Sequence, residues 1–165
     1  MQWRTHPDLQ HRLHPQHPDD LQVIVHDGGP RLTHARPEQV WVTITDMSGD
    51  IFKGRVLNVP EQLTTIRQGQ IIAFRVKTGT PYAVMVTAKY IEEKSRWEIT
   101  PCSKCGFTEL FDAPSDLVRA VFPNLPGDGD LEVFTAFCPL CGGVQGVERV
   151  QNKSGMDRRP WWKFW

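Results

Sequence analysis

Four cysteines fall in two pairs of identical spacing, Cys102 and Cys105 in "CSKCG" and Cys138 and Cys141 in "CPLCG". Thiols three positions apart in a tight turn offer one metal ion two ligands, and two such turns complete a tetrahedral set of four thiolates. Four protein ligands leave no coordination position for water or substrate. The chemistry implied is therefore structural: the metal ties the chain together and activates nothing. Zinc is the expected ion, and iron, which four thiolates also hold, is the alternative. Thioredoxin-like exchange is disfavoured, because neither pair precedes a helix in a βαβ unit.

The pairs are separated by 32 residues, 106–137, more than the roughly 15–20 of common ribbons. A helix is expected to fill the excess, "SDLVRAVF", starting from an N-cap at Ser115. Strands "RWEIT", "LEVFTAF" and "VQGVERV" should build the sheet that carries the two turns, the geometry of a zinc ribbon. Upstream, "LQVIVH", "VWVTIT", "IFKGRVLN" and "IIAFRV" are short runs rich in β-branched and aromatic residues. The stretches "DGGP" and "DMSGD" read as turns, "VPEQLTTIRQGQ" as a connection with one short helical turn, and "VMVTAKYIEEK" as strand then helix. The expected fold is α+β and mostly β: an antiparallel meander or partly open barrel, one or two short helices, and a C-terminal zinc ribbon. The expected units are an irregular His/Pro-rich arm (1–20), a β-rich domain (21–100), the four-cysteine ribbon with its helical insertion (101–150) and a basic aromatic tail (151–165). "RWEITPC" joins the β-rich part to the ribbon without a linker, so the two should form one body.

Two resemblances accompany this reading. "CSKCG" and "CPLCG" resemble the arms with which rubredoxins hold one iron atom, which implies electron transfer as the competing function. Residues 49–76, "GDIFKGRVLNVPEQLTTIRQGQIIAFRV", resemble the bacterial YegJ-like domain family: Gly54, Asn58, Pro60, Leu63 and Gly69 match its glycine-bearing strand, N-x-P turn, leucine-bearing segment and glycine turn. That resemblance implies no reaction. Read without the family, Gly54 is a bulge or close-approach position, and Asn58 with Pro60 forms a turn.

Other candidates carry less chemistry. His11, His14 and His17 would need a helix to share a face, which Pro15 and Pro18 oppose, so a solvated arm is favoured over a metal site. "HDGGP" (26–30) could bring a base and backbone amides to a carbonyl, but no serine or cysteine nucleophile stands in an elbow, and a tight turn is favoured. No phosphate loop, dinucleotide fingerprint or H-E-x-x-H motif is present, so no enzyme is expected.

Hydrophobic residues make up 39% of the 165 and charged residues 23%, an ordinary globular composition. Lysine plus arginine equals aspartate plus glutamate at 19 each, so no global cationic field draws the chain to nucleic acid or anionic lipid. Residues 106–137 carry six acids and one base, net −5, and would repel phosphates. The first twenty residues lack an apolar signal core, and no eighteen apolar residues run together, so a cytoplasmic protein is expected.

The tail concentrates Arg158, Arg159, Trp161, Trp162, Phe164 and Trp165. Four such rings carry on the order of 600–1,000 Å² of apolar surface, more than the roughly 300–600 Å² a monomer leaves exposed. The rings either pack on the chain's own β surface, as termini that are tied down do, or meet a partner. Among partners a protein is favoured over a membrane interface, since tryptophan and arginine compose binding hot spots, and stacking on single-stranded bases is the further alternative. The function expected is a non-catalytic, cytosolic, zinc-stabilised binding or adaptor module. A toxin-neutralising immunity protein is one concrete form of it.

Overall fold

The structure, a computed structural model, describes residues 2–27, 35–76, 81–124 and 131–150. Strands β1 (Asp20–Val25), β2 (Glu38–Ser48), β3 (Ile51–Val56), β4 (Ile71–Arg75) and β5 (Ala83–Met85) form a closed barrel in chain order. Their sequences alternate, so every second side chain points inward: Leu21, Val23 and Val25 of β1, Val40, Val42 and Ile44 of β2, and Phe52 and Phe74 across β3 and β4 fill the interior. Successive neighbours are antiparallel. With five strands of alternating direction the first and last run the same way, so the closing seam has to be parallel, with Val23 opposite Ala83 and Ile24 opposite Val84. The mostly β, α+β fold is as the sequence led us to expect, with the barrel fully closed.

Four local expectations are corrected. "DMS" does not turn but continues β2, whose register against β3 shifts between Ile44 and Asp46. The turn shrinks to Gly49, at φ +60°, and Asp50. No helical turn forms between β3 and β4. That connection is pinned by acids from elsewhere: the Glu38 carboxylate accepts from the amides of Glu61 (2.7 Å) and Gln62 (2.6 Å), and Asp27 from those of Thr64 and Thr65 (3.0 Å each). These carboxylates give the amides of the connection partners that no helical hydrogen bond supplies. Asn58 reaches back to accept from the Trp41 amide at 2.7 Å, and Leu63 is buried.

The third correction concerns residues 1–20, expected as a solvated irregular arm. Two 3₁₀ helices form, Gln2–Thr5 and Pro7–Leu9. Proline is tolerated at a helix start, where its missing N–H is not needed. Leu9 is fully buried in the barrel core, with Trp3 and Leu13 packed against the same cluster. Asp19 holds the segment down by accepting from Arg4 and from the Trp3 indole at 2.8 Å. These bonds, Arg4's first, keep its carboxyl at about 2, below the usual 3.8. His14 Nδ1 accepts from the amides of Gln16 and His17, so it serves a turn.

Beyond the barrel come α1 (Ala88–Lys94), β6 (Trp97–Ile99), α2 (Pro114–Val121), β7 (Val133–Phe137) and β8 (Val144–Arg149). The three strands make an antiparallel sheet in the order β6-β8-β7. Ser115 does not cap α2. The helix starts at Pro114 after Ala113, and Glu93 of α1 accepts from the Ser115 amide (3.0 Å) and hydroxyl (2.6 Å). A carboxylate from a neighbouring helix thus replaces the local cap.

The ribbon lies over the barrel's parallel seam. Ile24 and Val84, paired across that seam, pack in one cluster with Phe107, Phe111, Leu140, Cys102 and Cys138. Parallel strands are stable when both faces are covered, and the ribbon supplies the outer cover. A second tie is Glu109, buried with only 2% exposure. It accepts from the Tyr90 hydroxyl and from Lys94 Nζ at 2.6 Å, with Arg75 of β4 at 3.5 Å. Burial, then the charge of Glu109, pushes the Tyr90 phenol far up, keeping it a donor. Barrel, helix and ribbon meet at this one carboxylate. No helix among the described residues is long and apolar enough to cross a membrane.

Candidate metal centre

Each cysteine pair sits on a turn of the same construction. The Cys102 amide donates to the Phe107 carbonyl at 2.8 Å and the Gly106 amide to the Cys102 carbonyl at 3.0 Å. In the second turn the Cys138 amide donates to Gly143 at 2.7 Å and the Gly142 amide to Cys138 at 2.9 Å. Gly106 and Gly142 adopt φ of +73° and +68°, a region that side chains resist. These glycines do not aim their amides at sulfur; they close the turns onto the cysteine carbonyls. The amide of Lys104 approaches Cys102 Sγ, at 3.4 Å.

The two turns are stitched face to face. Ser103 donates its amide to the Val144 carbonyl at 2.9 Å, and Val144 returns its amide to the Ser103 hydroxyl at 3.1 Å. All four Sγ atoms consequently lie within 4.8 Å of one another. Cys102 and Cys141 approach to 3.5 Å, and Cys105 and Cys138 to 3.6 Å. Four sulfurs at about 2.3 Å from one ion stand about 3.8 Å apart along each tetrahedral edge, so this donor set fits a single ion and could hold a metal. Among the described residues it is the one group of three or more His, Cys, Asp or Glu side chains that could do so. His11, His14 and His17 are not gathered into such a group.

Burial divides the set. Cys102 and Cys138 are buried, Cys105 and Cys141 exposed. Burial drives the Cys138 thiol well up. Burial opposes ionisation of Cys102 as well, but the amides of Cys105 and Lys104, together with the Cys141 and Cys105 thiols, outweigh it and bring that thiol down to about 6. Metal capture at Cys138 therefore displaces a proton, and affinity falls with acidification.

Gly143 is a residue the sequence did not single out. It occupies in the second turn the place Phe107 has in the first, and a Cβ there would lie 2.5 Å from Cys102 Sγ. A sulfur held by a metal cannot retreat. Gly143→Ala is expected to weaken metal binding about 10–100-fold, the range for shell residues that orient ligands, measured by competition with a chromophoric chelator. Gly106→Ala meets nothing within 4 Å and should cost only its backbone strain. Equal affinities for the two variants would contradict the assignment. The only sequence signal was a second glycine after the last cysteine.

Two other candidates stand differently. His26 is buried, its ring stacked on Phe111 at 3.7 Å; residues 28–30 of "HDGGP" lie outside the described residues. So does the whole aromatic tail, including Arg158, Arg159, Trp161, Trp162, Phe164 and Trp165. No family model matches this chain, and no curated protein and no solved structure matches it.

Proposed function

We propose that the chain is a non-catalytic, cytoplasmic binding module in which Cys102, Cys105, Cys138 and Cys141 hold a structural zinc ion and the basic aromatic segment contacts a protein partner. The observation that carries this reading is the closed set of four sulfurs over the barrel seam. Zinc bound there supplies rigidity alone, since four thiolates saturate its tetrahedral preference. Cys102 and Cys138 anchor the ion in the seam cluster, while Ser103 and Val144 hold the two turns in register. The same donor set suits iron, so a rubredoxin-like electron carrier is the second reading. It requires a coloured protein with a reversible one-electron couple.

The partner contacts are Arg158, Arg159, Trp161, Trp162, Phe164 and Trp165, supported by their composition. Nucleic acid is disfavoured as partner by the acidic insertion. The resemblance to YegJ-like domains adds no reaction. The double variant Trp161→Ala/Trp165→Ala should weaken capture of a cross-linked protein partner by tenfold or more, the effect of losing a hot spot of about 2 kcal/mol, at unchanged metal content. Undiminished capture would remove the segment from the binding surface.

A further inference from the structure

An apolar groove of 380 Å³ runs between α2 and β7, walled by Leu117, Val121 and Phe122 on one side and Leu131, Val133 and Phe137 on the other. Its rim is open: Val133 is 60% exposed, Phe122 49% and Val121 42%. β7 is also an outer strand of its sheet, the kind of edge proteins cover. We infer that this groove holds the chain's own segment 160–165, with Trp162 and Phe164 inserted and Trp161, Lys163 and Trp165 turned outward.

Four observations converge on that occupant. First, the described chain leaves β8 beside the groove: Glu148 pairs with Val133, and the Arg149 amide donates to the Glu132 carbonyl at 2.7 Å. Second, eleven residues separate Val150 from Trp162, twelve steps along the chain with a reach of up to about 40 Å, against the roughly 17 Å length of a five-residue strand. No second copy is needed to supply the segment. Third, residues 151–165 carry four bases and one acid, net +3, opposite the net −5 of residues 106–137. Fourth, alternate residues of an extended chain share a face, so the spacing in the sequence would let an extended segment turn Trp162 and Phe164 to one side and Trp161 and Trp165 to the other. The groove is at the small end of the about 300–1,000 Å³ range of ligand pockets, suited to two rings rather than four.

This docking refines the partner reading, taking Trp162 and Phe164 out of the partner-contact set, and rests on that reading for the outward pair alone. Seating the inner pair presets Trp161 and Trp165, which lowers the ordering cost a partner would otherwise meet. The test is hydrogen exchange on the full-length, metal-loaded protein. Trp162→Ala/Phe164→Ala should speed exchange across residues 117–122 and 131–137 about tenfold, equivalent to about 1.4 kcal/mol of lost docking. Val133→Glu, at an exposed rim position, should do the same, and Trp161→Ala/Trp165→Ala should leave exchange unchanged. Parent-like exchange in the inner double variant, or equal effects of the two pairs, would overturn the inference. Protection that disappears on dilution would assign the segment to a second copy and overturn it too. Partner capture by the outer variant is a separate readout, so either reading can fail alone.

Discussion

Cys138→Ser is expected to lose stoichiometric metal and with it the ribbon. Apparent binding free energies of structural zinc are about 10–16 kcal/mol, comparable to the whole stability of a domain at about 5–15 kcal/mol. A loss of even about 5 kcal/mol lowers the melting temperature of a chain this size by about 10–20 °C. The damage should not stop at the ribbon. Cys138 is fully buried in the cluster that contains Val84 and packs against Ile24, so exchange protection should fall along β1 and β5, while the β2–β3 hairpin persists longer. Cys141→Ser removes an exposed ligand from the same set and should release metal with less direct disturbance of the seam. A Cys138→Ser protein that melts like the parent would mean the four sulfurs support nothing.

Gly54→Ala is expected to break the barrel from inside. Gly54 sits on the inward side of β3, between Ile44 of β2 and Ile72 of β4. A Cβ there would lie 2.3 Å from Val42 Cγ1, 2.8 Å from the Thr43 carbonyl oxygen and 3.2 Å from Phe74. The valine could shift, but the carbonyl belongs to a paired strand and cannot. Overpacking commonly costs about 1–3 kcal/mol and more where the neighbour is rigid, so a drop of about 2–12 °C or more is expected by thermal melting. Metal content per folded chain should stay the same, which separates this effect from the ribbon's. An unchanged melting temperature would show that β2 and β3 can part without cost.

Much of this architecture was legible in the chain because it rests on local rules. Short runs rich in β-branched and aromatic residues, split by turn residues, marked the strands, and the two C-x-x-C turns marked the sulfur set before any geometry was known. What escaped was set by distant groups. The β3–β4 connection is held by Asp27 and Glu38, acids with no local sign of that task, and α2 is capped by Glu93 rather than Ser115. The N-terminal arm read as solvated because prolines follow its histidines, yet Leu9 is fully buried in the core, with Trp3 and Leu13 packed against it. Gly143 was illegible for a related reason: its constraint comes from Cys102, on the opposite turn. The parallel sense of the closing seam follows from strand number and direction together, but closure itself rests on the pairing of β1 with β5, which no local pattern marks.

Metal content by plasma mass spectrometry, with a visible spectrum, on untagged protein purified without added metal tests the central claim most directly. One zinc per chain and no visible band is the expected result, the stoichiometry of a closed tetrahedral site. One iron with thiolate charge-transfer bands would make Cys102, Cys105, Cys138 and Cys141 a redox centre. Protein that is folded and metal-free would contradict a metal-held ribbon altogether.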